Sequence, residues 1–370
     1  MFGPQAWDDY NRAVSVSPDL PFKATFSKTD AINLGIRYPA YNDDVRAIIL
    51  KNPGVQQLGY AFDPNIQNPY TINMYFGIQR SLTSTLMIES AFVGNKGNKF
   101  RLARMFNWPD RVTDVRPNPK LGQGVYYCSC QNTVYDSWQT SVRKRFSKGL
   151  SVGVNYTWGK GLSYTGGDSG ADFSGDTFNS IQDFFNPRAS RGPSSGDTTH
   201  TFNSHWVYYL PSPAIFGNGF GKHVFGGWEV SGIFQARSGQ AVYISQTGLY
   251  SRPDYLGGNA VNPNYANTGV YLNTAAFARV PLGAGGNPIR PGNLGNGAVR
   301  GTPYWNLDSS LAKNIKITES AKLQIRADLF NIFNHTGYAG FTTSINSSNF
   351  GKFTGFYPAR QMQLNARLQF

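Results

Sequence analysis

From Leu150 to Lys160 the chain alternates without a break. Leu150, Val152, Val154, Tyr156 and Trp158 fall on one side, and Ser151, Gly153, Asn155, Thr157 and Gly159 on the other. A period of two is the signature of a β-strand, because successive side chains point to opposite faces. The pattern recurs along the chain. Ile72, Met74, Phe76 and Ile78 oppose Asn73, Tyr75, Gly77 and Gln79. Trp228, Val230 and Phe234 oppose Glu229, Ser231, Gln235 and Arg237. Leu307 and Leu311 oppose Asn306, Asp308 and Asn314, and Leu323, Ile325 and Ala327 oppose Gln324, Arg326 and Asp328. The chain finishes with Met362, Leu364, Ala366, Leu368 and Phe370 against Gln361, Gln363, Asn365, Arg367 and Gln369.

Strand length separates the architectures that share this pattern. A soluble sandwich also alternates, but its strands are commonly about 5–6 residues long. The runs here reach ten or more, and a strand that crosses a bilayer needs about 9–11 residues. The apolar faces tend to start or stop on aromatic rings, as at Trp138/Phe146, Tyr156/Trp158 and Trp305, which is the placement of the aromatic girdles of membrane barrels. Composition agrees: of 370 residues 15% are aromatic and only 15% charged, against roughly 25% charged in an ordinary soluble domain. The mean hydropathy is −0.37, and no segment approaches the roughly 18 uninterrupted apolar residues of a membrane helix. The fold expected is all-β, an antiparallel transmembrane β-barrel, with a soluble all-β protein as the rival. In a barrel the polar side would line a hydrated or plugged lumen. The lumen-lining candidates are Asn155, Gln235, Arg237, Asp308, Arg326, Asp328, Asn365 and Arg367.

Nine strands are expected, at about 71–81, 85–95, 137–146, 150–160, 200–210, 226–238, 305–316, 321–333 and 359–370. A weak tenth lies at Phe22–Ser27. Short connections at Ser81–Ser84, Ser147–Gly149 and Thr318–Ser320, and a longer one from Pro211 to Phe225, alternate with long ones near 96–136, 161–199, 239–304 and 334–358. Outer-membrane barrels join strands by short periplasmic turns and long extracellular loops. That assigns residues 1–70 to an irregular, largely extracellular segment with at most one strand, and 71–370 to barrel. Nine is odd, whereas bacterial single-chain barrels have even strand numbers. The missing strands are therefore expected in the first 70 residues or outside this sequence.

Other features point to no chemistry of their own. The net charge of +13 is spread along the chain, with no nucleic-acid recognition motif beside it, and reads as surface character. Cys128 and Cys130 lack the further ligands of a metal site and read as two loop thiols or a local loop disulfide. The first twenty residues have neither a basic n-region nor an apolar h-region, so a cytosolic protein or a truncated chain is expected. His200 and His205 are five apart and would face opposite ways; His335 is expected to cap or pack. Gly217–Lys222 lacks the spacing of a phosphate loop. Asp168, Asp172 and Asp176 form a Gly/Ser-rich loop without EF-hand spacing. No motif implies a cofactor, a metal or an enzyme. The loop aromatics Tyr126, Tyr127, Tyr164, Phe173, Tyr250, Tyr255 and Tyr271 either pack the loops together or stack on a ligand such as a sugar ring. Tyr126, Tyr127, Tyr164, Tyr250 and Tyr255 are the ligand-contact candidates.

The ordered series of motifs resembles a known family. Met362-Gln-Leu-Asn-Ala-Arg-Leu-Gln-Phe370 resembles the closing strand of outer-membrane barrels. Leu329-Phe-Asn-Ile-Phe-Asn-His335 resembles the penultimate-strand motif of large TonB-dependent receptors. Phe225-Gly-Gly-Trp-Glu-Val-Ser-Gly-Ile-Phe234, Ser238-Gly-Gln, Trp305-Asn-Leu-Asp-Ser-Ser-Leu-Ala-Lys-Asn314 and Asn155-Tyr-Thr-Trp-Gly-Lys160 are similar to the same group. Over about 71–370 the chain is most similar to Oar-like receptors with a carboxypeptidase-regulatory-like N-terminal domain. The resemblance implies that Leu368 and Phe370 signal to the barrel assembly machinery. It also implies outer-membrane lipid, an N-terminal plug, TonB and an extracellular ligand as partners, with loops and wall serving ligand capture and uptake. The departure is size. Nine strands in 300 residues are about 33 residues per strand, and 22 strands would need roughly 730. The resemblance thus implies the C-terminal barrel portion of a longer receptor. A surface adhesion or secretion-related barrel is the alternative function, and a soluble β enzyme a third.

Overall fold

The structure is a computed structural model, and it describes residues 60–119, 124–164, 181–212, 220–248, 251–318 and 320–370. The segment at Phe22–Ser27 lies outside these residues, as do Phe173, Tyr250 and the three loop aspartates.

Nine strands form one antiparallel sheet in which neighbours in sequence are neighbours in space. They are β1 (Tyr70–Ser81), β2 (Leu86–Phe106), β3 (Gly124–Ser147), β4 (Leu150–Ser163), β5 (His200–Tyr209), β6 (Trp228–Arg237), β7 (Tyr304–Lys316), β8 (Lys322–Phe330) and β9 (Gln361–Gln369). Two short pieces join off this path: Tyr60–Phe62 runs parallel to Val125–Tyr127 of β3, and Gly192–Pro193 pairs with the end of β4. Among the described residues the outer sides of β1 and β9 pair with nothing, and every residue of both strands is exposed.

Register carries the alternation from strand to strand. Phe76 stands opposite Phe92, Phe92 opposite Trp138, and Trp138 opposite Trp158. Val230 is opposite Leu311, Leu311 opposite Ala327, and Ala327 opposite Leu364. Directly paired residues share a face, so one face is apolar from β1 to β9. It is also open: Phe76, Trp158, Met362 and Leu364 are each more than half exposed. Several polar groups on it bond to one another. Trp138 Nε1 donates to Ser90 Oγ at 2.9 Å, Ser90 and Thr140 share a bond at 3.0 Å, and Tyr156 OH lies 2.8 Å from His200 Nδ1. His205 stands on the other face, as its odd spacing from His200 requires.

The tight ends follow from local chemistry. Lys148 and Gly149 both have positive φ, 51° and 78°, the pattern of a two-residue type I′ hairpin whose twist matches that of its strands. At the end of β8, Asn331 and Asn334 both sit at φ 51°, a region that Asn tolerates better than most residues. Their side chains account for the Asn-Ile-Phe-Asn-His motif. Asn331 Oδ1 accepts from His335 N at 2.9 Å, and Asn334 Oδ1 accepts from Arg360 N at 3.0 Å. His335 stacks on Trp305 at 4.2 Å.

Two expectations need correction. The connection expected at 96–136 is mostly strand, because β2 and β3 run on to Phe106 and from Gly124 through register shifts between Gly97 and Leu102. These bulges break the alternation and hid the strands. Cys128 and Cys130 are therefore strand residues, and they are disulfide-bonded. The connection after Pro211 contains a short helix, α1 (Phe220–Phe225). Its terminal carbonyls at Val224 and Gly226 accept from Lys313 Nζ, whose ammonium also lies 5.2 Å over the Trp228 ring. A lysine on the apolar face thus reaches a polar anchor at the sheet's end.

The packed core lies in the long connections rather than in the sheet. Ile244, Tyr271, Leu272, Phe277, Leu294, Val299, Ile345 and Phe350 are buried together, so the segments 238–303 and 334–358 form a cap. Tyr271 OH donates to Gly301 O at 2.8 Å, and burial pushes its pKa up to about 12. A second cluster joins Leu102, Trp108, Cys128, Ile181 and Phe184. Arg290 grips Asp254 through two bonds of 2.9 and 2.6 Å, which hold the carboxyl below its usual range.

Two outcomes are expected of the cap. A Cβ on Gly239 would stand 1.8 Å from Gly301 O, whereas one on Gly295 would make only an ordinary 3.4 Å contact. Gly239→Ala should therefore destabilise the cap by about 1–3 kcal/mol and speed proteolysis of 240–303, while Gly295→Ala should not. Because Asp254 is depressed in the folded state, its contribution is complete above the ordinary carboxylate value and is lost as pH falls through the lower folded one. Hydrogen-exchange protection factors around 252–293 should be full at pH 5 and fall only below about 3.9. Asp254→Asn should lower them at neutral pH and flatten this acid dependence.

Candidate functional site

All eight polar wall candidates fall on one face. Asn155 is opposite Asn203, Asn203 opposite Gln235, and Gln235 opposite Asn306. Two residues along from Asn306, Asp308 keeps the parity, and Arg237 keeps that of Gln235. Ser310 is opposite Asp328, Arg326 opposite Asn365, and Gln324 opposite Arg367. The strands could not place these residues apart without a one-residue slip, which would also expose the wrong face everywhere else.

Over β6 to β9 the polar face is a bonded network. Ser231 and Ser310 hydroxyls lie 3.0 Å apart. Arg326 donates to Ser310 Oγ at 2.8 Å and, through Nε, to Asp328 Oδ1 at 2.7 Å. Asn365 Nδ2 donates to the other Asp328 oxygen at 3.0 Å. The Arg326–Asp328 pair is partly exposed, so its worth is about 0–1 kcal/mol; its role is to set side-chain directions. Asp308 accepts from Asn306 Nδ2 at 2.8 Å and from Asn331 N at 2.8 Å, tying the wall to the Asn motif. Arg237 lies 5.3 Å over the Tyr304 ring and donates to Tyr357 OH at 2.9 Å, which joins the wall to the cap. Arg367 is exposed on the edge strand β9.

The loop candidates are mostly packing residues. Tyr126 and Tyr127 belong to β3, not to a loop. Tyr127 is buried, stacked on Phe62 at 5.3 Å with the Arg101 guanidinium 4.9 Å above its ring, and Tyr126 packs against the Leu102–Trp108 cluster. Tyr164 is buried. Tyr255 packs at a tilt against Phe277 at 5.8 Å and donates to Gly258 O. Tyr271 belongs to the cap core. Leu368 and Phe370 stand exposed at the end of the last strand, 54% and 96%.

Sequence reasoning missed the residues that fasten the connections to the sheet. Asp197 is buried; its Oδ1 accepts from Gly161 N at 2.5 Å and its Oδ2 is paired with Arg300 at 2.7 Å. Its carbonyl accepts from Arg300 at 2.7 Å and from Ala241 N at 3.0 Å. Buried Gln182 bonds Gly292 O at 2.7 Å and Arg252 N at 3.1 Å. Arg252 is itself buried, donating to Leu294 O at 2.8 Å, and desolvation lowers its pKa. These partners are 36 to 110 positions apart in sequence, so no local pattern marks them. Among the described residues no group of three His, Cys, Asp or Glu side chains could hold a metal ion.

Comparison with known proteins bears on this wall. No curated protein sequence matches the chain. Among solved structures, the outer membrane transporter YddB from Escherichia coli is similar at 12% identity over 86% of this chain and 34% of that one, with a TM-score of 0.42. The ferripyoverdine receptor of Pseudomonas aeruginosa gives 11%, 82%, 27% and 0.41, and BauA, the ferric preacinetobactin receptor from Acinetobacter baumannii, 10%, 81%, 29% and 0.40. The chain spans about a third or less of the length of these proteins. A family described as an outer membrane beta barrel domain matches residues 6–363. Taken with its long antiparallel strands and their one apolar and one polar face, that match means the chain belongs to the outer membrane β-barrel domain family and resides in the bacterial outer membrane.

Proposed function

We propose that this chain is one portion of the wall, with the attached surface loops, of a TonB-dependent receptor of the Oar-like kind. The observation that carries the reading is the sheet's two edges, which among the described residues pair with nothing. Backbone groups in hydrocarbon must be bonded within the protein, so a spanning sheet has to close. Nine strictly antiparallel strands leave β1 and β9 running in the same direction. Closing them on each other, or on a second copy, would need a parallel seam. An odd number of additional strands closes the wall with antiparallel pairs throughout, and 13 more would make the 22 strands of the plugged transporter class.

In this reading the apolar face meets lipid. Asn155, Gln235, Arg237, Asp308, Arg326, Asp328, Asn365 and Arg367 face the lumen, where a plug and a passing ligand would meet them. The capped loops would face the exterior and capture the ligand, Leu368 and Phe370 would engage the assembly machinery, and TonB would act through the plug. The chain supplies binding surface and channel wall; energy and gating come from the other parts. A self-contained adhesion or secretion barrel is the competing reading, and it needs closure by this chain alone.

Two measurements test this. Val154→Arg, on the apolar face, should cost about 2–4 kcal/mol if that position lies near the bilayer centre and reduce the heat-modifiable folded band in outer membranes. Asn155→Arg, one residue away on the polar face, should leave the band largely intact; equal effects would sink the orientation. Folded material isolated from outer membranes should contain additional strands, on the same or another polypeptide, and should be electrically quiet in planar bilayers. An open, steadily conducting barrel formed by this chain alone would overturn the receptor reading and favour the self-contained barrel.

A further inference from the structure

The geometry points to a binding recess for a neutral, polyhydroxylated ligand, an oligosaccharide, on the polar face where β3, β4 and β5 meet the loops. The inference rests on the proposed lumenal orientation of that face and names the class of ligand it would take.

A cavity of about 400 Å³ opens there, lined among others by Asn95, Thr133, Tyr135, Thr157, Ser194 and Thr201. That is within the range of small-ligand pockets. The sheet supplies its floor: Asn95 is opposite Tyr135, Tyr135 opposite Gly161, and Thr157 opposite Thr201. The turn Ser194–Thr198 supplies its rim, held by Ser194 N donating to Gly161 O at 3.0 Å and Asp197 N to Ser194 O at 3.0 Å.

Three features set the chemistry. First, Thr133, Tyr135, Thr157, Ser194 and Thr201 line this space, and among the described residues none of their hydroxyls is bonded to another protein group. Each offers both a donor and acceptors, which suits a ligand with many hydroxyls better than an anion or a cation. Second, the one carboxylate in the lining, Asp197, is committed to Gly161 N and to Arg300, so the recess presents no free charge. Third, the Tyr135 ring is laid across β4. A Cβ on Gly159 would come within 2.9 Å of its OH, so glycine there makes room for the ring, which keeps 38% of its surface exposed beside the hydroxyls. An aromatic ring next to convergent hydrogen-bonding groups is the combination that holds a sugar. The contrast with β6 to β9 is direct: there the polar side chains satisfy one another.

The test uses outer membranes from cells expressing the full chain, with membranes of the parent cells as blank. Equilibrium dialysis against maltotriose, cellotriose and chitotriose should show saturable binding of at least one. An acidic trimer of galacturonate should not compete. Thr157→Val and Thr201→Val should each weaken binding about five- to ten-fold, Tyr135→Ala at least as much, and Gln324→Ala, on the polar face away from the recess, not at all. Absence of saturable binding by all three sugars, or binding unmoved by both valine variants, would overturn the inference and leave a hydrated recess. Heat-modifiable migration of the same samples separates the two failures. Lost binding with intact migration condemns the recess alone; lost migration in the unmodified chain condemns the wall reading and the recess with it.

Discussion

A strand that crosses hydrocarbon has no water to satisfy its N–H and C=O groups, so each must bond to a neighbouring strand. That requirement forces the strands here into a ladder, and the ladder forces the faces. Because side chains alternate with a period of two, the register of one pair sets which face every residue of both strands occupies. Through eight successive pairings, from β1 to β9, the parity changes only at two bulges. One lies inside β2 and β3, between Gly97 and Leu102, and the other beside the β3–β4 turn, between Lys144 and Ser147. Bulges there extend or turn the strands without disturbing the faces in between.

The two halves of the molecule are stabilised by different terms. In the sheet the ladder does what a packed core does elsewhere, and large side chains such as Phe76 and Leu364 stay open on the protein's surface. The cap obeys the rules of a soluble domain, with an apolar core around Ile244, Leu272 and Phe277. Its irregular backbone is satisfied by side chains such as Tyr271 and Gln246, the latter bonded to both Val280 N and Val280 O at 2.9 and 2.7 Å. The joints between them are polar. Asp197 with Arg300, and Arg237 with Tyr357, cross from the wall to the connections.

This division explains what the sequence made legible. The nine strands could be read because membrane strands carry their burial pattern locally, residue by residue. Asn155, Gln235 and Asp328 were found for the same reason, since parity alone places them on one face. The distal parts of β2 and β3 could not be read, because they stand beyond the alternating region and gain their partners through bulges. Tyr127 reads as a loop aromatic until Phe62 and Arg101, both distant in sequence, are seen to cover it. Asp197, Gln182 and Arg252 carried no local signal, since their roles exist only after the long connections have folded on one another.

The polar face itself is not uniform, and the asymmetry follows from residue type. Over β6 to β9 the wall combines guanidinium, carboxylate and amide groups. Such groups bond each other at short range, and Arg326, Asp328, Ser310 and Asn365 do so. Over β3 to β5 the wall offers threonine, serine and tyrosine hydroxyls with short side chains. Cross-strand hydroxyl bonds form elsewhere in the sheet, at Ser90–Thr140 and Ser231–Ser310, but a hydroxyl of the recess such as that of Thr157 makes none with the described residues. Its hydrogen bonds are then left for whatever occupies the space in front of the wall. A surface built from long charged side chains orders itself, whereas one built from short hydroxyls stays open to a solvent molecule or a ligand of the same chemistry.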